Sequence, residues 1–381
     1  MTPKTFMLIA GETSGDRLAA ELVAALRQKA PEASFFGAGG PHMAAAGVEL
    51  AFDLTRHAVV GLADVLKNYF QFRKLFLQLR ALAIARKPDA IIGVDFGGFN
   101  LRLGCAIREF ARFDSSGWQP KIVQFVSPQV WASRPGRADW LARDYDLLLS
   151  IFPFEKDWYA RRAPKLRVEF VGHPLVGRLA VGTHNRAAAD AAHRIPTILL
   201  LPGSRRSEWQ RHLPVMLDAL KAVREQRPDV KAKMVLPDES LRSLARTPGG
   251  GVEMQIGHLP EALAAADAAL ASTGTVTMEC AFAGVPAVTL YKAPLLDWGI
   301  RTGLITVKWF TMPNLLAGEE IYPEFLGRAA TPENLSRALL ELLQNEPRRQ
   351  KIQQQLRTVI ASLGEPGAAQ RAAAAILSLF N

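Results

Sequence analysis

Short apolar runs alternate with helix-compatible stretches along nearly the whole chain, and this rhythm constrains the fold more than any other feature. In the first half the runs are residues 6–10, 34–37, 90–94, 121–126, 147–151 and 168–171, with helical spacing over about 17–30 and 62–87. Strand, helix and strand in repetition predict a parallel sheet wrapped by helices. A second series at 197–201, 233–236, 254–256, 268–271 and 287–290 predicts another. At 381 residues the chain suits two α/β domains at about 100 to 200 residues each. Between the series, residues 172–192 turn small, polar and basic, as in a hinge, and His173 is assigned there as a backbone hydrogen-bond partner. The expected division is 1–172, 173–345 and a helix-rich tail, 346–381, that returns to brace the first domain. Two such domains facing an interdomain cleft provide a favoured ligand site.

The sequence is 49% hydrophobic and 22% charged, which excludes wholesale disorder. A net charge of +10 calls for an acidic partner: a phosphorylated substrate, an anionic membrane surface or nucleic acid. The chain carries no helix-turn-helix, zinc-finger or RNP signature, so nucleic acid is set aside. Cys105 and Cys280 stand far apart without CxxC spacing and read as small buried hydrophobes in a reducing compartment. The first apolar run is too short for a signal peptide and no run approaches the length of a membrane span, so a cytoplasmic protein is expected.

Two strand-loop-helix elements look built for phosphate: ILLLPGSRRSE (198–208) and AALASTGTVTMEC (268–280). In each, an apolar run stops at small residues and a helix follows, aiming unpaired backbone N–H groups at an anion. Arg205 and Arg206 add guanidinium forks to the first. Glu279 stands where it can accept from ribose hydroxyls if the second helix starts near Thr275. Neither loop is a Walker A or GxGxxG fingerprint, and each alone is as compatible with a plain turn; together they point to a nucleotide pocket.

The ordered set IAGETSGD (9–16), GVDFGGFN (93–100), FVSPQVWASRPGR (125–137), FPFE (152–155), FVGHPL (170–175), LLPGSR (200–205), TGTVTMEC (273–280) and PNLLAG (313–318) resembles the lipid-A-disaccharide synthase family. The resemblance implies the GT-B architecture of two Rossmann-like domains. It also implies inverting transfer of diacylglucosamine from its UDP derivative to diacylglucosamine 1-phosphate, giving a β-1,6-linked tetraacyl disaccharide phosphate and UDP. The second-half pocket by itself would equally serve another UDP-sugar enzyme, such as another lipid glycosyltransferase or an N-acetylglucosamine epimerase; GETSGD and VSPQVW disfavour that alternative. The family usually has Pro and Asp where Gly97 and Gly98 stand, and a second Trp at Ser133.

Asp95 ends an apolar run at the sheet edge, where an inverting transferase needs a base; a turn or capping Asp is the plainer alternative. Glu12, in the first βα turn, is the second catalytic candidate. Ser14, Asp16, Asn100, Trp131 and Arg134 are acceptor-side candidates, capping and domain packing being their plain alternatives. With the resemblance, Gly203, Ser204, Arg205, Thr273, Gly274 and Thr275 receive the diphosphate, Glu279 the ribose, and Asn314 enters as a family carry-over whose plain reading is a turn Asn. No cofactor and no metal is expected, since helix ends and arginine can meet the charge of departing UDP. Residues 62–80 form a basic, aromatic-rich helix that suits peripheral association with an anionic inner membrane, with a core helix as the plain alternative. A homodimer is left open.

Overall fold

The computed structural model describes residues 3–55, 69–178, 195–237, 239–244, 251–292 and 307–381. Part of the expected basic helix, 62–68, and most of the expected hinge, 179–192, lie outside the described residues. The chain divides into two compact units, Met1–Val176 with Leu363–Asn381, and Gly177–Ser362.

The first unit holds a seven-stranded parallel sheet ordered β3-β2-β1-β4-β5-β6-β7. Its strands are β1 Thr5–Ala10, β2 Ser34–Gly39, β3 Glu49–Asp53, β4 Ala90–Val94, β5 Lys121–Phe125, β6 Leu147–Ser150 and β7 Val168–Phe170. The central strand β4, AIIGV, is buried at every residue, as a strand covered on both faces must be. The Thr13–Lys29 helix buries Leu18, Leu22, Val23 and Leu26 at helical spacing. On the Tyr69–Arg86 helix Leu75, Leu79 and Ala83 join Ile91, Leu103, Ile107 and Ile122 in one apolar core. Each fully buried side chain of this size contributes about 1.5–3 kcal/mol. That helix therefore takes up the core position, yet it also leaves Phe70 80% and Leu77 44% exposed. The Ala368–Leu377 helix packs on Thr13–Lys29. Arg371 ties it down through Nε to the Val171 carbonyl at 2.8 Å.

The second unit holds a six-stranded parallel sheet ordered β10-β9-β8-β11-β12-β13. Its strands are β8 Thr197–Leu201, β9 Lys231–Leu236, β10 Val252–Ile256, β11 Ala268–Ser272, β12 Ala287–Tyr291 and β13 Glu324–Leu326. The Arg206–Gln226 helix, following β8, packs against the Pro332–Gln344 helix. In both sheets the strand order reverses beside the first strand, between β1 and β4 and between β8 and β11. Those are the switch points where ligands enter open α/β sheets.

Edge strands β3 and β13 were not among the expected runs. They carry no fully buried residue, so they lack the continuous apolar stretch by which an inner strand is recognised. The Thr13–Lys29 helix starts four residues before the expected position because GETSGD forms its N-cap and first turn rather than a loop. Cys280 is buried as expected; Cys105 is half-buried, and burial with a hydrogen bond to Asp144 pushes its thiol up to about 12, leaving it unreactive. Among the described residues no helix is long and apolar enough to cross a membrane.

Candidate active site

At the first switch point Asp95 follows β4 and faces the turn that follows β1. A side chain on Gly15 would meet the Val94 carbonyl at 3.3 Å and the Asp95 Cβ at 3.4 Å, so the helix beginning GETSGD runs hard against Asp95. Asp95 and Phe96 are consecutive non-glycine residues with φ of 52° and 46°. That conformation costs about 1–2 kcal/mol per residue. Three hydrogen bonds hold it: Asp95 N–H donates to the Phe125 carbonyl at 2.8 Å, and the Asp95 carbonyl accepts from Asn100 Nδ2 and Gln124 Nε2, each at 2.9 Å. The Phe96 ring lies over Gly11, where a Cβ would stand 2.4 Å from it. Burial raises the proton affinity of the Asp95 carboxyl, opposed by a hydrogen bond from the Phe96 backbone.

The other first-unit candidates separate by burial. Glu12 occupies the N-cap position of Thr13–Lys29, half-buried, and Ser14 is exposed in the first turn. Asp16 is fully buried beneath this surface. Its carboxylate accepts from the backbone N–H groups of Gly40 at 2.7 Å, His42 at 2.9 Å and Met43 at 3.1 Å, capping the Pro41–Ala45 helix. Asn100 is buried and supports the Asp95 turn. Trp131 is buried too, its indole N–H donating to Glu155 Oε1 at 3.0 Å, while Arg134 is exposed. A side chain at Gly97 would collide with Pro128 at 2.7 Å, whereas nothing lies within 4 Å of a Cβ at Gly98. The two glycines thus differ physically: Gly97 lets the segment around Pro128 pack close, and Gly98 borders open space.

At the second switch point the loops after β8 and β11 leave neighbouring strands, Leu201 pairing with Ala271. Gly203 has φ 125°, and a Cβ there would stand 2.3 Å from Glu208 Oε2, so only glycine fits. Ser204 N–H donates to Glu208 Oε2 and Arg205 Nη1 to Glu208 Oε1, both at 3.1 Å. In the second loop Gly274 is the N-cap of Thr275–Phe282, and Gly274 and Thr275 are exposed. Thr273 N–H donates to the Leu290 carbonyl at 3.0 Å. Glu279 lies one turn into that helix, half-buried, its proton affinity raised by burial.

Asn314 is fully buried. Its Nδ2 donates to the Tyr322 carbonyl at 2.7 Å and Glu324 Oε1 at 2.8 Å, and its Oδ1 accepts from the N–H groups of Ile321 at 2.9 Å and Tyr322 at 2.8 Å. All its hydrogen-bonding capacity lies within this loop, so its role is to shape the backbone rather than to reach outward. His173 donates its N–H to the Leu363 carbonyl at 2.9 Å and accepts from Leu175 N–H through Nδ1 at 3.2 Å.

Four further residues hold these loops and escaped the sequence reading: Gln124, Glu155, Glu208 and His212. Gln124 and Glu155 had a visible signal, a lone polar residue in the apolar run KIVQF and a carboxylate in FPFE. Burial pushes Glu155 up to about 7 against hydrogen bonds from Trp131, Ser127 and the backbone of Phe152 and Ile151. Among the described residues no group of three or more His, Cys, Asp or Glu side chains could hold a metal ion.

Comparison with known proteins adds a family match. The family model described as lipid-A-disaccharide synthetase matches residues 6–378. A lipid-A-disaccharide synthase of Myxococcus xanthus is 35% identical over 385 residues, covering 99% of this chain and 98% of that one. Another, from Alkalilimnicola ehrlichii, is 36% identical, covering 97% of each. Among solved structures, a UDP-GlcNAc 2-epimerase from Neisseria meningitidis has a TM-score of 0.63 at 11% identity, covering 98% of this chain and 100% of its own. The glycotransferase of kitacinnamycin has a TM-score of 0.61 at 18% identity, with full coverage of both chains. At those identities the structural likeness speaks for the fold alone.

Proposed function

The chain belongs to the lipid-A-disaccharide synthetase family, and from that premise we propose how its residues divide the reaction. The enzyme transfers a diacylglucosamine unit from its UDP derivative to diacylglucosamine 1-phosphate, releasing UDP and a β-1,6-linked disaccharide phosphate. The epimerase reading, which the second pocket alone would allow, is not favoured by the family match.

In the proposed mechanism Asp95 takes the proton of the attacking acceptor hydroxyl as its oxygen bonds to the anomeric carbon and the bond to the diphosphate breaks. The raised proton affinity of Asp95 suits that role. Glu12 and Ser14, on the adjoining turn, orient the acceptor, with Arg134 on the exposed face of the next loop. Asp16, Asn100 and Trp131 act from below by fixing the loops. Negative charge growing on the leaving β-phosphate meets the Arg205 guanidinium and the backbone at Gly203, Arg205, Gly274 and Thr275, while the N–H groups of Ser204 and Thr273 hold their loops through Glu208 and Leu290. Arg205 keeps donors beyond the one on Glu208. Glu279 accepts from the ribose. No metal or cofactor enters this scheme.

The single observation that carries the reading is the coincidence of both residue sets with the two sheets' switch points. The test is to incubate the pure protein with UDP-diacylglucosamine and diacylglucosamine 1-phosphate and to look for UDP and a tetraacyl disaccharide phosphate by mass spectrometry. Absence of the disaccharide with intact substrates would refute it.

We further propose that the protein acts at an anionic inner-membrane surface from the cytoplasmic side. Supporting this, the Tyr69–Arg86 helix exposes Phe70 and Leu77 beside exposed Arg73 and Lys74.

A further inference from the structure

One imidazole ties the first loop assigned above to the diphosphate to the end of the strand that anchors the second. His212, in the second turn of Arg206–Gln226, is fully buried. Its Nε2 lies 3.1 Å from the Lys292 backbone nitrogen and its Nδ1 2.8 Å from the Pro202 carbonyl oxygen. A backbone N–H can only donate, so Nε2 is the acceptor and bears no proton; Nδ1 holds the ring proton and donates to Pro202. Both bonds exist together only for the neutral ring in that tautomer.

The two anchor points matter because of where they stand. Pro202 immediately precedes Gly203 and Ser204 at the exit of β8. Lys292 immediately follows β12, the strand whose Leu290 carbonyl holds Thr273 N–H in the second loop. Between β8 and β12 runs β11, which carries that loop. The Arg206–Gln226 helix grips the first loop at two other points, Trp209 Nε1 on the Gly203 carbonyl at 2.8 Å and Glu208 on Ser204 N–H. Both stay within the exit of one strand. His212 reaches across to the strand that anchors the other loop.

We propose that His212 is a positioning residue for the UDP-sugar: its neutral imidazole sets the separation of the two diphosphate loops, and protonating it releases Lys292 and loosens their joint hold on the diphosphate. The proposal rests on the reading that these loops bind UDP. Among the described residues, these groups act on the ring. Burial disfavours its cation, Arg211 one residue back does the same, and Glu208 one turn back opposes them. The Tyr291 ring of β12 lies edge-on at 5.9 Å, and the Pro202 loop and Lys292 present backbone groups to the ring. The balance holds its proton affinity below that of an ordinary histidine. Neutral His212 therefore prevails at neutral pH. If UDP binds the bridged form, binding must lower the ring's proton affinity further, and UDP affinity must decline as pH falls through the free protein's titration.

The test titrates the histidine resonances of the full chain by NMR with and without saturating UDP, the His212 signal being the one missing in His212→Gln. The expected result is an Nδ1–H tautomer whose proton affinity drops about threefold or more when UDP is added. In parallel, calorimetry between pH 8 and pH 5 compares UDP binding by wild type and His212→Gln, which offers the Lys292 amide an acceptor that cannot be protonated. Because UDP's own terminal phosphate titrates in this range, the reading is the difference between the two proteins. The variant should lose the steeper part of the wild-type decline, while in the wild type lowering the pH should raise KM for the UDP-sugar more than it does in the variant. Parallel pH curves, or an imidazole indifferent to UDP, overturn the proposal. If the variant fails to fold, the wild-type titration, with the buried ring assigned by through-bond spectra, decides alone. A wild-type protein that does not bind UDP, or binding untouched by Arg205→Ala, refutes the loop assignment itself, which is a different outcome from an indifferent His212.

Discussion

At Asp95 the backbone and the side chain are coupled through one carbonyl. Asn100 and Gln124 both donate to it, which holds the residue in a left-handed conformation with its Cβ against the Gly15 turn. Asp95→Asn keeps size and most hydrogen bonding but removes the proton acceptor. Steady-state kinetics should show turnover falling by about 100-fold or more while UDP affinity by calorimetry is retained. In the wild type the base must be deprotonated, so activity should rise with pH through a value above the ordinary aspartate range, the direction its burial dictates. Near-normal turnover in Asp95→Asn with loss in Glu12→Gln would move the base into the first βα turn. Glu155 makes a second prediction, on stability. Its folded value of about 7 exceeds the ordinary 4.5, so between these the native state holds a proton that the unfolded state has lost. Stability should therefore fall as pH rises from 4.5 through 7, by on the order of 3 kcal/mol from this group. Urea melts of Glu155→Gln, which cannot ionise but loses one acceptor, should start less stable at pH 5 and close the gap by pH 8. Parallel curves would show that the carboxyl does not titrate there.

The loop and helix that follow β8 act as one element. Glu208 fixes Ser204 and Arg205 from one side of the turn, and Trp209 and His212 fix Gly203 and Pro202 from beneath. A charge-assisted contact to phosphate in such a prepared loop is worth about 1 to 3 kcal/mol. Arg205→Ala should weaken UDP binding by that amount in calorimetry with EDTA present. Equal affinity in the variant would take Arg205 out of the pocket. The Tyr69–Arg86 helix shows how one element serves two surfaces: Leu75, Leu79 and Ala83 face the core, while Phe70 and Leu77 remain exposed.

For the molecule as a whole, a net charge of +10 is a long-range attraction to anionic lipid that salt screens over about 10 Å at 0.1 M. Vesicles containing phosphatidylglycerol should bind the protein, and replacing Phe70 and Leu77 by Ser should reduce binding without lowering thermal stability, since neither is part of the core. Raising salt should weaken what remains. A variant that instead unfolds would mean the helix serves the core alone. Each unit carries a separate switch point, so the UDP-binding test on Arg205 and the turnover test on Asp95 should be independent of one another.

The sequence alone determined the class of fold, because inner parallel strands must be continuously apolar and the loops that follow them must be short, small and polar, and its ordered motifs carried the resemblance to the family. Residues 90–94 and 197–201 were legible to the residue for that reason. Edge strands Glu49–Asp53 and Glu324–Leu326 were not, since half-covered strands need no such pattern. At the candidate site, the motif residues could be named but not sorted. Only the tertiary structure separates Asp95, whose Cβ borders the first turn, from Asp16 and Asn314, whose polar atoms are fully engaged inside the fold. It alone brings Gln124 to the Asp95 carbonyl and His212 to Pro202 and Lys292, contacts spanning 29, 10 and 80 residues. Local spacing records which face a side chain takes on its own element; which distant backbone group it meets is decided by how the strands are ordered.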